Sequence, residues 1–245
     1  MVLYVMHPQT EKLISQEYAA QRSEEWFELR KTVLTASQVP SAIGENPYQK
    51  PFDLLLDKCG KGKPFVDTIG ACAHGNKYED EARIIYEEQT GDKVHEIGLY
   101  VHPTIKWLGG SPDGVSEAGY LIEIKCPLKR EIKDEVPIHY MGQLQVCMEV
   151  LELEEARFIQ YKPEEITWPK KAEFLITVVK RDREWFAQRL PIMKEFWDKV
   201  LWHREHGIDV PEKKTRKPRE KKLEVIEPQE CEIENCSDDE NYLSE

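Results

Sequence analysis

Three charged side chains lie close together within residues 111–127, which read S-P-D-G-V-S-E-A-G-Y-L-I-E-I-K-C-P. Glu123 and Lys125 are two residues apart in an otherwise apolar run, so they share one face of a predicted strand. Asp113 ends the preceding segment, and Glu117–Gly119 supplies a turn between the two. If these segments pair, two carboxylates and an ammonium group converge on one side of a sheet. Such a cluster is costly to bury unless a cation or a substrate phosphate compensates its charges.

The spacing Asp-x9-Glu-x-Lys, with the aspartate directly after a proline, is the pattern of a PD-(D/E)xK nuclease core. Cleavage of a phosphodiester requires neutralised phosphate oxygens, an activated water and a stabilised leaving oxyanion. Carboxylate oxygens are ligands that suit Mg²⁺, and a nearby lysine can offset the charge that develops in the transition state. The pattern is loose, and an ion pair between Glu123 and Lys125 on a surface hairpin would also explain it.

Further motifs surround this one in a fixed order along the chain. They are E-E-W-F-E-L-R-K-T-V-L-T-A-S (24–37), H-G-N-K-Y-E-D-E-A (74–82), G-G-S-P-D-G (109–114), E-I-K-C-P (123–127) and H-Y-M-G-Q-L-Q (139–145). W-x-x-x-R followed by T-A-S, and S-P-D-G followed by E-x-K-C-P, are specific in combination. On these motifs the sequence resembles the lambda-exonuclease-like family, also described as the YqaJ viral recombinase family, over about residues 22–200.

The resemblance implies a set of catalytic and metal-binding residues. The catalytic set is Asp113, Glu123, Lys125, Glu79 and Gln143, and the metal ligands are Asp113, Glu123, Glu79 and the backbone carbonyl of Ile124. Lys125 is then the lysine near the attacking water, and Glu79 a second metal or water ligand. The residues themselves leave alternatives open. Glu79 lies among charged neighbours that are typical of a solvated helix face, and Gln143 could belong to a polar network in the core.

A second group of residues matches the family's pocket for a DNA 5′-phosphate. It comprises Arg30, Thr35 and Ser37. A helix N-terminus presents free N–H groups to an anion, although Thr35 and Ser37 could simply cap a helix. The lambda-type pocket uses another arginine from the loop after the T-A-S helix, where this chain offers only Lys50. End recognition is therefore expected to be weaker or organised differently.

The elements that would position these residues indicate a mixed architecture. Capping residues and periodicity predict helices after Ser23, from Thr35 to Gly44, over 75–89, over 138–151 and after Asp182 with a kink at Pro191. Strand-like runs occupy 93–101, 105–110, 121–126, 156–161 and 173–180. This order indicates an α/β (α+β) fold. The resemblance implies a restriction-endonuclease-like PD-(D/E)xK core, with a central mixed β-sheet flanked by helices.

Length and charge define the predicted domains. The 245 residues fit an N-terminal extension (1–21), a nuclease domain (22–211) and a disordered charged tail (212–245). Residues 212–222 carry seven basic and two acidic side chains, whereas 223–245 carry nine acidic and no basic ones. The basic segment 213–222 fits a nuclear-localisation or nucleic-acid patch, or a merely solvated tail. The net charge of −12 does not exclude DNA, because basic groups can gather in one groove and metal ions can neutralise carboxylates.

The resulting functional hypothesis is a metal-dependent DNA exonuclease that acts 5′-to-3′ on linear duplex ends in recombination, replication or end processing. The resemblance implies a pair of Mg²⁺ ions per site, with Mn²⁺ as a substitute, a single-strand annealing protein as partner and a homo-oligomer, such as a trimeric ring. The alternatives are a PD-(D/E)xK endonuclease and an inactive DNA-binding scaffold. Six unclustered cysteines disfavour an iron–sulfur enzyme and indicate a reducing intracellular compartment. No apolar run approaches the length of a membrane span.

Overall fold

A computed structural model describes residues 5–63, 66–67 and 69–210 of the chain. The predicted tail, 212–245, and its basic segment lie outside the described residues, so its predicted disorder stays a prediction. The described residues belong to one compact unit that ends at Val210. No helix in the described part of the chain is both long and apolar enough to cross a membrane.

The strands form two sheets. The strands in the described residues are β1 (Leu34–Thr35), β2 (Val94–His95), β3 (Tyr100–Val101), β4 (Leu108–Gly110), β5 (Gly114–Ser116), β6 (Leu121–Lys125), β7 (Glu155–Lys162) and β8 (Glu173–Lys180). The larger sheet has the order β2-β5-β6-β7-β8, and the smaller has the order β1-β4-β3. In the larger sheet β6 and β7 are parallel, and the other pairs are antiparallel. The central sheet is therefore mixed, as predicted.

Helices cover both faces of the larger sheet. The helices are α1 (Pro8–Ile14), α2 (Glu24–Thr32), α3 (Val39–Ala42), α4 (Pro51–Lys58), α5 (Ala71–Thr90), α6 (Ile138–Leu151), α7 (Glu164–Thr167) and α8 (Arg183–His206). Helix α5 contacts β6 and β7, and α6 contacts the same two strands, β4 and α8. Side-chain hydrogen bonds fix two of the helix starts, since Ser23 accepts from the Trp26 N–H and Asp182 from the Trp185 N–H.

Strand β6 separates two hydrophobic clusters. Leu121 packs with residues of α6, whereas Ile122 and Ile124 pack with residues of α5. Because successive side chains in a strand point to opposite faces, Glu123 and Lys125 share the α6 face with Leu121. The apolar alternation of L-I-E-I-K thus directs both charged side chains toward one helix.

Several elements differ from the predictions. The run 93–101 is not one strand: β2 and β3 belong to different sheets. Between them the chain closes on the N-terminal segment, where a Cβ on Gly98 would lie 2.5 Å from Cβ of Tyr18. The predicted helix from Thr35 begins as a 3-10 turn over Ala36–Gln38 before α3, and α5 starts four residues before the predicted position 75. Helix α8 does continue through Pro191, as the sequence predicted, and the kink at Pro191 stays a prediction.

The segment predicted as an N-terminal extension contacts the core. Leu13 of α1 is fully buried. Thr10 donates from Oγ1 to the carbonyl of Ser116 at 2.8 Å, and the His7 N–H donates to the carbonyl of Glu117 at 2.8 Å. Helix α1 therefore holds the turn end of the β5–β6 hairpin.

Candidate active site

The Glu123 carboxylate lies where strand β6 and helix α6 meet. Its side chain is fully buried. Oε1 accepts hydrogen bonds from Nζ of Lys125 and, at 2.5 Å, from Nε2 of Gln143. Oε2 is buried and has no hydrogen-bond partner within the described residues. An unpaired buried carboxylate oxygen costs free energy, so this atom is suited to a ligand that the protein alone does not supply.

Asp113 is held against the same strand by the hairpin. Its Oδ2 accepts from the backbone N–H of Ile124 at 2.6 Å. Gly114 pairs with Ile122 at the start of the hairpin, and a Cβ on Gly114 would lie 2.3 Å from Cγ1 of Val94. The glycine of S-P-D-G therefore permits the strand packing that brings Asp113 beside Glu123.

Glu79 joins these carboxylates from helix α5. Its side chain is 34% exposed, and Nη2 of Arg22 lies 4.0 Å from its Oε2. Burial and then the neighbouring Asp113 charge raise the pKa of Glu79 to about 7. The solvated helix face that the sequence allowed for Glu79 is not what the structure has.

The protonation of the cluster follows from burial and mutual repulsion. Burial raises the pKa of Glu123, Asp113 raises it further, and Lys125 opposes both. Burial alone would lower the pKa of Lys125, but the carboxylates of Glu123 and Asp113 outweigh it and raise that pKa. Lys125 therefore keeps its proton, and Nζ also lies 5.4 Å from the ring centroid of Tyr140.

An open cleft of about 430 Å³ gives access to this cluster. Its walls come from the loop before α2, from helix α5, from β6 with the following loop, and from α6. They are lined by Arg22, Ala71, Cys72, Gly75, Asn76, Glu79, Asp113, Ile124, Lys125, Cys126, Pro127, Leu128 and Tyr140. Within the described residues, no three or more His, Cys, Asp or Glu side chains already stand as a metal-binding group. The fit to a metal rests instead on the unpartnered Oε2 of Glu123 and on the oxygen-only donor set, which suits a hard cation.

Arg30, Thr35 and Ser37 form a second group of contacting side chains, called the Arg30 cluster below. Nη2 of Arg30 donates to Oγ of Ser37 at 3.4 Å, and the hydroxyls of Ser37 and Thr35 are 3.2 Å apart. The guanidinium stacks on Trp26, with Cζ 4.4 Å from the ring centroid. Among the described residues no carboxylate pairs with Arg30, although burial lowers its pKa. Thr35 also donates from Oγ1 to the side chain of Gln38, so it takes part in capping as well.

Backbone and side-chain contacts join the Arg30 cluster to the segment that carries Asp113. Strand β1 lies parallel to β4, with Thr35 opposite Gly109, and β4 leads directly to Asp113. Nε1 of Trp26 donates to Oγ of Ser111 at 3.4 Å. Ser111 is thus a contact residue that its motif, S-P-D-G, does not by itself reveal.

Lys58 holds the backbone next to the Arg30 cluster. Its Nζ donates to the carbonyl of Arg30 at 2.7 Å and to that of Val33 at 2.6 Å. Burial, followed by the charges of Arg30 and Arg204, lowers the pKa of Lys58 to about 7. No local pattern indicates this role, because Lys58 is 25 residues or more from the carbonyls that it contacts.

Comparison with known proteins assigns this arrangement to a family. The model of the YqaJ-like viral recombinase domain matches residues 25–154. The chain belongs to this family. Two viral relatives of this YqaJ-like chain are an uncharacterized protein of Acanthamoeba polyphaga mimivirus, 37% identical over 163 residues, and a protein of African swine fever virus, 31% identical over 157 residues. The matches cover 59% and 51% of the chain but only 30% and 44% of those relatives, so it spans less than half of their length.

A solved structure confirms the fold. The crystal structure of an alkaline exonuclease, LHK-Exo from Laribacter hongkongensis, matches with a TM-score of 0.62 and 27% identity, and the match covers 75% of this chain and 95% of that one. A phage-related exonuclease from Haemophilus somnus matches with a TM-score of 0.51 at 12% identity, which supports the fold alone. The predicted PD-(D/E)xK fold of the YqaJ-like chain is therefore confirmed.

Proposed function

We propose that this chain is a metal-dependent DNA nuclease that hydrolyses phosphodiester bonds from the 5′ end of linear duplex DNA. The observation that carries the proposal is the convergence of Asp113, Glu123 and Lys125 at an open cleft, where the buried Oε2 of Glu123 has no hydrogen-bond partner in the described part of the chain. The likeness to an alkaline exonuclease across most of the chain supports this reaction class.

The metal would be held by oxygen ligands at the cleft. Asp113, Glu123, Glu79 and the carbonyl of Ile124 would hold Mg²⁺, or Mn²⁺ in its place, as a pair of ions. A bound Mg²⁺ supplies neutralisation of the phosphate oxygens and makes a bound water more acidic. The raised pKa values of Glu79 and Glu123 agree with this role, because a cation would relieve the repulsion between neighbouring carboxylates.

Protein groups then orient the reactants. Lys125 stays protonated, so its ammonium can hold the attacking water and offset the charge that grows on the phosphate oxygens. Gln143 donates to Oε1 of Glu123 and thereby aims the carboxylate. Gln143 is a positioning residue in this scheme, whereas Lys125 and the carboxylates contact the reacting groups.

The cluster of Arg30, Thr35 and Ser37 is proposed to bind a terminal 5′-phosphate. A partly buried guanidinium that has no carboxylate partner among the described residues, next to two hydroxyl groups, suits an anion. A terminal phosphate carries more charge than an internal phosphodiester and can accept more hydrogen bonds. This pocket would therefore select for ends, and it favours the exonuclease over the endonuclease. A single-strand annealing partner and a homo-oligomer, such as a trimeric ring, are further proposals that rest on the family resemblance.

The test uses the full-length protein with linear duplexes labelled separately at each 5′ end, beside a closed circular duplex. With Mg²⁺ or Mn²⁺ we expect loss of label from 5′ ends and intact circles, and with Ca²⁺ or excess chelator no cleavage. A Lys125→Ala protein purified in parallel controls for contaminating nucleases. Digestion of circles as fast as linear DNA would establish the endonuclease instead, and undiminished cleavage in chelator would disprove the metal site.

A further inference from the structure

Arg22 has an unusual backbone conformation directly beside the candidate active site. Its φ is +67°, and only one other non-glycine residue of the described chain, Glu152 with φ +54°, has a positive φ. This left-handed region is unfavourable for an L-residue with a side chain, and glycine, asparagine or aspartate is the usual occupant. Arg22 immediately precedes Ser23, the N-cap of α2. An arginine that is kept in such a conformation points to a task for its side chain.

The side chain of Arg22 extends toward the carboxylates rather than into the core. Nη2 donates to Oδ1 of Asn76 at 2.8 Å and lies 4.0 Å from Oε2 of Glu79. Arg22 lines the main cleft and also an adjoining groove of about 240 Å³, together with Glu79 and Asp113. Asn76 thus aims the guanidinium into the space that a bound strand would occupy.

An ion pair with Glu79 does not account for this arrangement. The separation of 4.0 Å is long and the arginine side chain is 58% exposed, so the pair contributes little to stability. A guanidinium has five N–H donors, and within the described residues this one donates a single hydrogen bond. The remaining donors face a groove whose other charged groups, Glu79, Asp80, Glu96 and Asp113, are all acidic. A polyanion entering there needs a cation, and Arg22 is the one that the lining of this groove supplies.

We propose that Arg22 is a further substrate-contacting residue, whose guanidinium binds a backbone phosphate of the DNA strand next to the bond that is cut. The inference rests on the proposed nuclease function. Planar, paired N–H donors match the non-bridging oxygens of a phosphate. The unfavourable backbone conformation of Arg22 turns its guanidinium toward the cleft. An arginine at position 22 therefore serves substrate binding, whereas a glycine would suit the backbone better.

The first test separates the side chain from the backbone strain. Arg22→Gly removes the guanidinium and supplies the residue that suits φ +67°. We expect a thermal midpoint no lower than that of the parent protein, together with weaker DNA binding. Glu152→Gly is the matched control, because it makes the same change at the other non-glycine residue with a positive φ, far from the cleft in sequence. It should leave DNA affinity and cleavage unchanged. Arg22→Asn, which also tolerates this conformation, serves as a second variant.

Binding is measured with full-length protein in a Lys125→Ala background, with Ca²⁺ present, on a 5′-labelled duplex with a short single-stranded end. Arg22→Gly should weaken binding about 10- to 100-fold, the scale of a charge-assisted contact to phosphate. It should also reduce the slope of log affinity against log salt by about 0.7–0.9, which corresponds to the loss of one phosphate contact. Neutral methylphosphonates placed singly along the strand should weaken binding by the parent protein at one position, and that sensitivity should vanish in Arg22→Gly.

The outcomes distinguish this inference from the proposed function. If the protein with Lys125 intact does not cut DNA, the proposed function fails. If it cuts, but Arg22→Gly and Arg22→Asn bind with parental affinity and salt slope, Arg22 does not contact phosphate. If both variants are less stable than the parent protein and keep the parent protein's methylphosphonate sensitivity, Arg22 is structural. Arg22→Lys should retain part of the affinity, because the charge stays but the planar fork is lost.

Discussion

A single carboxylate oxygen, Oε1 of Glu123, accepts hydrogen bonds from strand β6 through Lys125 and from helix α6 through Gln143. The other oxygen stays free of protein partners among the described residues, and this asymmetry makes Glu123 suitable as a ligand. The ion pair on a surface hairpin that the sequence also allowed does not describe a side chain with no exposed area. The proposed roles of Glu123 and Lys125 therefore depend on their charge and not on their volume.

Glu123→Gln and Lys125→Ala should each reduce cleavage by several orders of magnitude, because each removes a charge at the reacting phosphate. Glu123→Gln should leave the protein folded, since burial already disfavours the charged carboxylate and the amide oxygen can still accept a hydrogen bond from Lys125. Turnover of an end-labelled duplex and thermal unfolding would measure the two effects. Near-normal turnover by well-folded Lys125→Ala protein would exclude Lys125 from the mechanism.

At the scale of elements, Lys58 of α4 fixes the end of α2 through the carbonyls of Arg30 and Val33. Its pKa of about 7 in the folded protein is below the ordinary 10.5, because burial and two nearby arginines disfavour the charged amine. Between those two pH values the unfolded chain binds more protons than the folded chain. The free energy of unfolding should therefore rise with pH over this window.

We expect the free energy of unfolding of the parent protein, measured with denaturant, to rise between pH 7 and pH 9. The slope should approach about 1.4 kcal/mol per pH unit. Lys58→Met should be less stable overall, because the carbonyls of Arg30 and Val33 lose a donor, and its stability should depend less on pH. Lys194→Met, which removes an exposed amine paired with Asp198 on α8, is the matched control. If the free energy of unfolding changes with pH in the same way for the parent protein and Lys58→Met, the pKa of Lys58 is not lowered in the folded protein.

The Arg30 cluster makes an end-specific prediction. Arg30→Ala should lower cleavage of duplexes with a 5′-phosphate and narrow their advantage over 5′-hydroxyl duplexes, which we expect to be about 1–3 kcal/mol in the parent protein. Arg157→Ala, which removes an arginine stacked on Tyr120, controls for the loss of a stacked guanidinium elsewhere. Equal rates on the two kinds of end in the parent protein would refute the pocket.

The longer elements were predictable from the sequence because their periodicity and caps are local. Helix α6, β6 and β8 match their predicted positions closely. The short elements α1, α4 and β5 were missed, since contacts distant in sequence hold them, such as the bond from Thr10 to the carbonyl of Ser116. At the site, the motif spacing anticipated which carboxylates converge. Arg22 was not anticipated, because its signal is a backbone angle that no residue pattern reveals.

The whole molecule combines an acidic domain with a basic segment at 212–222. Deletion of 212–245 should leave a folded, active protein, because this part of the sequence has too few apolar residues to complete a core. The deletion removes seven basic but also eleven acidic side chains, so the basic segment is tested by changing the lysines and arginines of 213–222 to glutamine. This change should weaken DNA binding at low salt and have little effect at high salt, where screening already suppresses phosphate contacts. Activity and DNA affinity measured across a salt series would test this. A truncated protein that is insoluble or inert at every salt concentration would contradict it.

The pairing of β1 with β4 has a consequence for the products of digestion. Thr35 lies opposite Gly109, the indole N–H of Trp26 reaches Ser111, and the chain arrives at Asp113 two residues later. If an end is anchored at the Arg30 cluster and cut at the site of Asp113 and Glu123, the hydrogen-bonded pairing of β1 with β4 fixes the span between anchor and cut. The fixed distance then sets the length of the product, and each cycle releases a fragment of the same number of nucleotides, whatever the base sequence.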